Sequence, residues 1–115
     1  MGGDIILPWP PKELSPNARV HFQTRASHVR SYREAAYWLT RASDVIAPAD
    51  GDIVLRLDFY PPDARKRDLD NMLASAKAGL DGLADALCVN DQRFALHLHR
   101  HAPRKGGAVI VSIER

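Results

Sequence analysis

The densest chemistry in the sequence is the run Arg65-Lys66-Arg67-Asp68-Leu69-Asp70-Asn71, in which two carboxylates two residues apart follow three cations. In extended backbone, residues i and i+2 project to the same side, so Asp68 and Asp70 are expected to face one way while Leu69 turns to the core. Such a pair suits a hard divalent cation such as Mg²⁺, which takes a few carboxylate oxygens and keeps several waters. The competing reading is a helix cap, because aspartate at an N-cap is common and favourable. One carboxylate is enough for a cap, however, and a second beside it is repulsive unless a cation compensates. On a helix following the pair, Asp70, Ala74, Lys77 and Asp81 project within roughly 60° of one another. Lys77 therefore shares a face with Asp70, where an ammonium can stabilise developing charge on metal-bound phosphate or orient an attacking water. Taken alone, Lys77 reads instead as an exposed i,i+4 pair with Asp81. Asp91 stands in Cys88-Val89-Asn90-Asp91-Gln92-Arg93, a stretch of ordinary turn residues just before a strand. A strand entering there beside an earlier one would return Asp91 towards Asp68 and Asp70. Three carboxylates and a lysine would then form a phosphodiesterase site with one or two metals.

These residues need elements to position them. Asp4–Leu7 reads as a short strand stopped by Pro8-Trp9-Pro10-Pro11, since proline cannot donate to a ladder. Lys12–Phe22 reads as loop with a Ser15-Pro16-Asn17 turn. A helical pattern follows from about Thr24 to Ile46, with Val29, Ala36, Leu39, Ala42 and Val45 as its apolar positions. Asp52–Tyr60 alternates as a half-buried strand, Ile53, Leu55, Leu57 and Phe59 on one face and Val54, Arg56, Asp58 and Tyr60 on the other. A second helix runs from about Asp70 to Ala86, with Leu73, Ala76, Leu80, Leu83 and Leu87 as its buried stripe. Arg93–His101 and Ala108–Ile113 read as two strands joined by a hairpin loop at Pro103-Arg104-Lys105-Gly106-Gly107. This order predicts an α+β fold, a small mixed β-sheet with two main helices packed against it, forming one domain over 1–115.

A chain of 115 residues with 45% apolar content can bury a core without disulfides or metal staples. No stretch approaches the roughly 20 apolar residues of a membrane span, and no basic segment followed by a long apolar run marks a secretion signal. The single cysteine, Cys88, suits a reducing cytosol and is expected to be buried or incidental. The formal charge of +2 divides unevenly: residues 1–47 carry +2, residues 48–91 carry −4 and residues 92–115 carry +4. An acidic centre between basic arms fits a polyanion held beside a carboxylate-bound metal, and equally a chance distribution in a small protein.

Leu7-Pro8-Trp9-Pro10-Pro11, the Arg67-Asp68-Leu69-Asp70-Asn71 run, Lys77 with Asp81 four residues on, and Asn90-Asp91 before a strand together resemble the RusA family of Holliday-junction resolvases. These are small endodeoxyribonucleases of phage and prophage origin, and the resemblance spans most of the chain, from Ile5 to Val111. It implies a homodimeric, cytoplasmic, Mg²⁺-dependent crossover junction endodeoxyribonuclease, with Mn²⁺ as a substitute metal. Such an enzyme resolves four-way DNA junctions by paired nicks in recombination and repair. By position, the resemblance makes Asp68, Asp70 and Asp91 the catalytic, metal-binding carboxylates and Lys77 the catalytic lysine. In the best-known members that lysine follows the second aspartate by four residues, where this sequence has Ala74. Lys77 comes seven residues on and shares that helix face. The loop before Asp91 also differs in length.

Two symmetric cuts are most simply made by two sites about a two-fold axis, which gives the dimer a physical reason. Arg65, Lys66 and Arg67 beside the pair, and Arg100, Arg104 and Lys105 in the last connection, are the cations expected on backbone phosphates, with Arg19, Arg25 and Arg30 as extensions. A solvated turn is the equal alternative for the last three named in that connection. His97, His99 and His101 alternate on one strand face and form a less favoured Zn²⁺ candidate. Trp9, Trp38, Phe22 and Tyr37 could stack on unpaired bases, although aromatics in small domains are mostly core. A nucleic-acid-binding protein without cleavage, and a metal phosphoesterase acting on a small molecule, are the competing functions.

Overall fold

Strand β2 (Ile53–Tyr60) organises the molecule because its alternation is nearly perfect. In the computed structural model, which describes residues 3–114, Ile53, Leu55, Leu57 and Phe59 are fully buried on one face of this strand. It is joined by β1 (Ile5–Pro8), β3 (Phe94–Arg100) and β4 (Ala108–Ile113) in a four-stranded mixed sheet of order β1-β4-β2-β3. β3 lies parallel to β2, with Ile53 opposite Phe94 and Phe59 opposite Arg100. β4 is antiparallel to both of its neighbours, pairing Leu57 with Val111 on one side and Leu7 with Val109 on the other. The fold is α+β, as the order of elements predicts. The last two strands are not a hairpin, however, because β2 lies between them. The connection from β3 instead wraps the end of β2, where His101 N–H donates to Phe59 O at 3.0 Å and Arg104 N–H to Pro61 O at 2.8 Å.

Helices α1 (Phe22–Ser43) and α2 (Leu69–Leu87) share one core with the inner sheet face. Their bounds lie within three residues of those read from periodicity. α1 begins where His21 Nδ1 accepts from Gln23 N–H at 3.1 Å and ends at Asp44 in the left-handed region. The loop before it contains a short 3₁₀ turn, Lys12–Leu14, and a hydrogen-bonded turn in which Ala18 N–H donates to Ser15 O at 3.0 Å. α2 ends at Cys88, at φ 56°, whose N–H reaches back to the last turn. Cys88 is exposed, since the left-handed cap carries it out of the core.

The buried stripe of α1 differs from the apolar pattern. Tyr32, Ala36 and Thr40 are buried, whereas Ala42 is exposed and Leu39 and Trp38 are 39% and 60% exposed. The cause lies on α2. A Cβ on Gly79 would come within 2.8 Å of the Tyr32 ring, and one on Gly82 within 2.2 Å of Arg33 O. Only glycines admit α1 this closely, and the approach selects the face of α1 that is buried. The buried polar groups on that face are satisfied locally: Tyr32 Oη donates to Pro8 O at 2.6 Å and Thr40 Oγ1 to Ala36 O at 2.7 Å. Burial also pushes the Tyr32 phenol well above its ordinary pKa, so it remains a donor. The buried stripe of α2 is wider than Ala76, Leu80 and Leu83, taking in Met72, Ala78, Gly79, Gly82 and Ala84, because this helix meets both α1 and the sheet. Leu73 and Leu87 are only partly buried.

Gly82→Ala is expected to lower the unfolding free energy by about 3 kcal/mol, because the added methyl must displace the α1 backbone. Ala74→Gly on the exposed face of the same helix should cost only about 1 kcal/mol. Urea unfolding of both variants checks the contrast.

Candidate functional site

Four segments meet at the carboxyl end of the parallel pair: Trp9–Pro11 after β1, the 61–68 loop after β2, the β3–β4 connection, and the start of α2. A cleft of about 630 Å³ opens between the first two and α2. Asp63 ties the 61–68 loop together. The Asp63 carboxylate accepts from Arg67 Nη1 at 2.9 Å and from Arg65 N–H at 3.0 Å. The Arg67 hydrogen bond in particular holds the Asp63 carboxyl below the usual carboxylate range. Arg67 is thereby folded back, 5.6 Å above the Trp9 ring centroid, while Arg65 and Lys66 stand exposed. On the facing loop, Arg104 lies 4.1 Å over the Tyr60 ring and Lys105 is exposed, as is Arg100 before it. Five of the six expected phosphate contacts are thus on adjoining loops, and the sixth, Arg100, is the last residue of β3. Arg25 is not on this surface: its guanidinium turns inward to Ser15 O and Ala18 O at 3.3 and 3.1 Å, closing the loop before α1.

Asp68 and Asp70 sit at the start of α2, but not as an extended i,i+2 pair. Helical backbone begins at Leu69, so Asp68 is the N-cap residue and Asp70 already lies in the first turn. The Asp68 side chain makes no cap hydrogen bond; it is exposed, with Asn71 Nδ2 at 3.5 Å. It lines the cleft together with Asn71, Met72 and Ser75, the residues one and two turns on. Asp70 Oδ1 accepts from Asn71 N–H at 3.0 Å. Neither carboxylate is in an ion pair among the described residues, and both lie at the positive end of the helix macrodipole.

Lys77 and Asp91 meet lower on the helix. Lys77 Nζ lies 3.2 Å from Asp91 Oδ2 and 3.5 Å from Asp81 Oδ1. Burial works to lower the Lys77 pKa, but the hydrogen bond to Asp91 and the charges of Asp81 and Asp91 outweigh it and hold the ammonium above the ordinary lysine value. Asp91 begins a 3₁₀ turn, Asp91–Arg93, at the amino end of β3, opposite the end of the sheet that carries Asp68. The expected convergence of Asp68, Asp70 and Asp91 is not seen: among the described residues, no group of three His, Cys, Asp or Glu side chains is placed to hold a metal. The β3 strand does lie beside β2, as that expectation required, but α2 separates the two ends. Seven residues of helix set Lys77 about 10 Å along the axis from Asp70. Of the two carboxylates at the helix start, Asp68 lines the cleft and Asp70 does not.

A further polar cluster occupies the outer face of the sheet. Asp58 is 9% exposed, accepts from Arg56 Nε at 3.1 Å and lies 2.5 Å from His101 Nε2. The His101 ring stacks on Tyr60 at 4.5 Å, so Tyr60 is shared between His101 and Arg104. Burial opposes ionisation of Asp58, yet the Arg56 and His101 hydrogen bonds prevail and lower its pKa. Sequence patterning places Asp58 on a polar face and His101 in a histidine row, but not together. The row does not act as a unit: His101 pairs with Asp58 and His97 with Glu114 at 3.2 Å. Phe22 and Trp38 are exposed away from the core, at 73% and 60%.

No protein-family model matches the chain. It is 42% identical over 113 residues to an uncharacterized protein of Xylella fastidiosa, an alignment covering 95% of this chain and 74% of that protein. No helix among the described residues is long and apolar enough to cross a membrane.

Because the Asp58 pKa is depressed in the folded chain, its contribution is present above the unfolded value of about 4 and is lost as pH falls through the folded one. Asp58→Asn should therefore cost about 2 kcal/mol at neutral pH. The difference from the parent chain should shrink in acid, as read from urea unfolding across pH.

Proposed function

We propose that this chain, which belongs to the same family as the Xylella fastidiosa protein, is a Mg²⁺-dependent, structure-selective endodeoxyribonuclease that resolves four-way DNA junctions by paired nicks. The observation that carries the reading is the juxtaposition at the start of α2. Two exposed carboxylates outside any ion pair stand there, one of which, Asp68, lines a cleft rimmed by Lys12, Arg65 and Lys66, with Arg100 at the end of β3 and Arg104 and Lys105 on the connection after it. A divalent cation would need the carboxylates, and a phosphodiester backbone would need the cations around them. The resemblance to RusA rests on the same residues.

Asp68 and Asp70 are the residues that would hold the metal, which would supply Lewis acidity and an activated water. The basic loops neutralise backbone phosphates and set the register of the strand. The role that the resemblance gives Lys77, a cation for developing phosphate charge, would require the bound strand to run about 10 Å along α2 from Asp70, to where Asp81 and Asp91 hold the ammonium. Asp91 fixes the position of Lys77 on this reading. Paired nicks require two such sites, which a two-fold homodimer provides. Ala74 at the position of the family's lysine favours the second reading, a junction-binding protein without cleavage, and the same experiment separates them.

A labelled synthetic four-way junction and a matched linear duplex, each with Mg²⁺ or EDTA, provide the test. Paired nicks are expected in the junction with Mg²⁺ alone, and Asp70→Asn should abolish them while junction binding survives. Equal cutting of linear duplex overturns junction selectivity, and binding without cutting by the folded parent chain selects the second reading.

Lys77→Ala tests that role: slowing of cleavage by about a hundredfold, the scale of a lost electrostatic contact, supports it, and a rate near that of the parent chain places Lys77 outside the active site. The variant's unfolding midpoint should hardly move, because an exposed ion pair contributes little. Arg65→Ala with Lys66→Ala should reduce the slope of log K against log salt concentration by about 1.8, or about 0.9 per lost phosphate contact.

A further inference from the structure

The cleft beside Asp68 has a composition that backbone-phosphate binding does not require. One wall is Trp9 with Pro10 and Pro11, the other is the Asn71–Ser75 face of α2, and the cations stand at the rim. Trp9 is a fixed wall. Its ring meets Phe59 edge to face at 6.4 Å. Behind it, Gly107 has no Cβ to spare, since one would come within 2.9 Å of Trp9 Cβ. The Arg67 guanidinium, held by Asp63, lies 5.6 Å from the ring centroid, within the range of a cation–π interaction. The volume, about 630 Å³, falls inside the roughly 300–1,000 Å³ range of small-ligand sites. It is far too small for a double helix.

A flat aromatic-and-proline wall suits a planar ring. The Asn71 amide carries both donor and acceptor, as a base edge requires. The rim cations suit the attached phosphates. A base paired and stacked in a duplex offers none of its face to such a wall, so the base must be out of the stack. We propose that the cleft takes one unpaired nucleotide, its base against Trp9 and its phosphate at the Lys12–Arg65–Lys66 rim beside Asp68. The proposal rests on the DNA reading above and adds that the bound strand is locally unpaired, which a junction's branch point can supply.

Trp9 and Trp38 are the two tryptophans of the chain, so Trp38→Phe leaves Trp9 as the reporter. In EDTA, its emission is followed on adding a short oligothymidine, a fully paired hairpin, and the same hairpin with one unpaired thymidine. The single strand and the unpaired-base hairpin should quench Trp9, and the paired hairpin should not. Trp9→Leu should weaken binding of those two ligands about tenfold, as expected for one lost stacking contact, and change paired-hairpin binding less than about twofold. Equal quenching by all three ligands, or by none while junction binding and Mg²⁺-dependent cutting persist, overturns the nucleotide cleft and leaves the nuclease reading standing. Absence of binding to any DNA overturns both. If Trp9→Leu fails to fold by circular dichroism, the quenching pattern of Trp38→Phe decides.

Discussion

The parallel pairing of β2 with β3 is the constraint from which the arrangement of the site follows. Parallel neighbours cannot be closed by a tight turn, so the chain must travel back along the sheet before starting the second strand. α2 makes that journey. It leaves the carboxyl end of β2 with Asp68 and Asp70 in its first residues and delivers Asp91 at the amino end of β3. The carboxylates that look adjacent in a linear motif are therefore distributed along a helix, with Lys77 between them and turned towards Asp91. The close seating of α1 on Gly79 and Gly82 fixes α2 over the sheet and thereby fixes which helix face is left to solvent.

The charge pattern acquires a physical meaning in this frame. Most acids of the central segment are in ion pairs within the fold: Asp58 with Arg56, Asp63 with Arg67, Asp85 with Arg33, and Asp81 and Asp91 sharing Lys77. Asp68 and Asp70 stay out of ion pairs although Arg65, Lys66 and Arg67 precede them directly. The Asp63 carboxylate instead pairs with Arg67 at 2.9 Å and with Arg65 at 3.7 Å. No buried side-chain polar atom among the described residues lacks a partner, so these two carboxylates are exposed groups rather than buried defects.

The elements were legible because they depend on local periodicity. The alternation of Ile53 to Phe59 and the apolar spacing of α2 require burial of those faces in any fold that buries them at all. Three features were not legible, each for a non-local reason. Burial of Tyr32 and Thr40 in place of Leu39 and Ala42 depends on glycines nearly fifty residues away in sequence. The insertion of β2 between β3 and β4 depends on strand pairing, which a loop rich in glycine does not disclose. The inward turn of Arg25 depends on two carbonyls of a preceding loop.

The amino-acid sequence by itself determined the α+β class, the two helices, the four strands and the concentration of candidate chemistry between Arg65 and Asp91, since side-chain type and spacing act over one or two turns. The tertiary structure decided which of those groups meet. It brought Lys77 to Asp91, His101 to Asp58 and Trp9 to the cleft of Asp68, and kept Asp91 from Asp68 and Asp70. Contacts between residues far apart in the chain are set by strand order and helix seating, and these follow from the packing of the whole core rather than from any local run of residues.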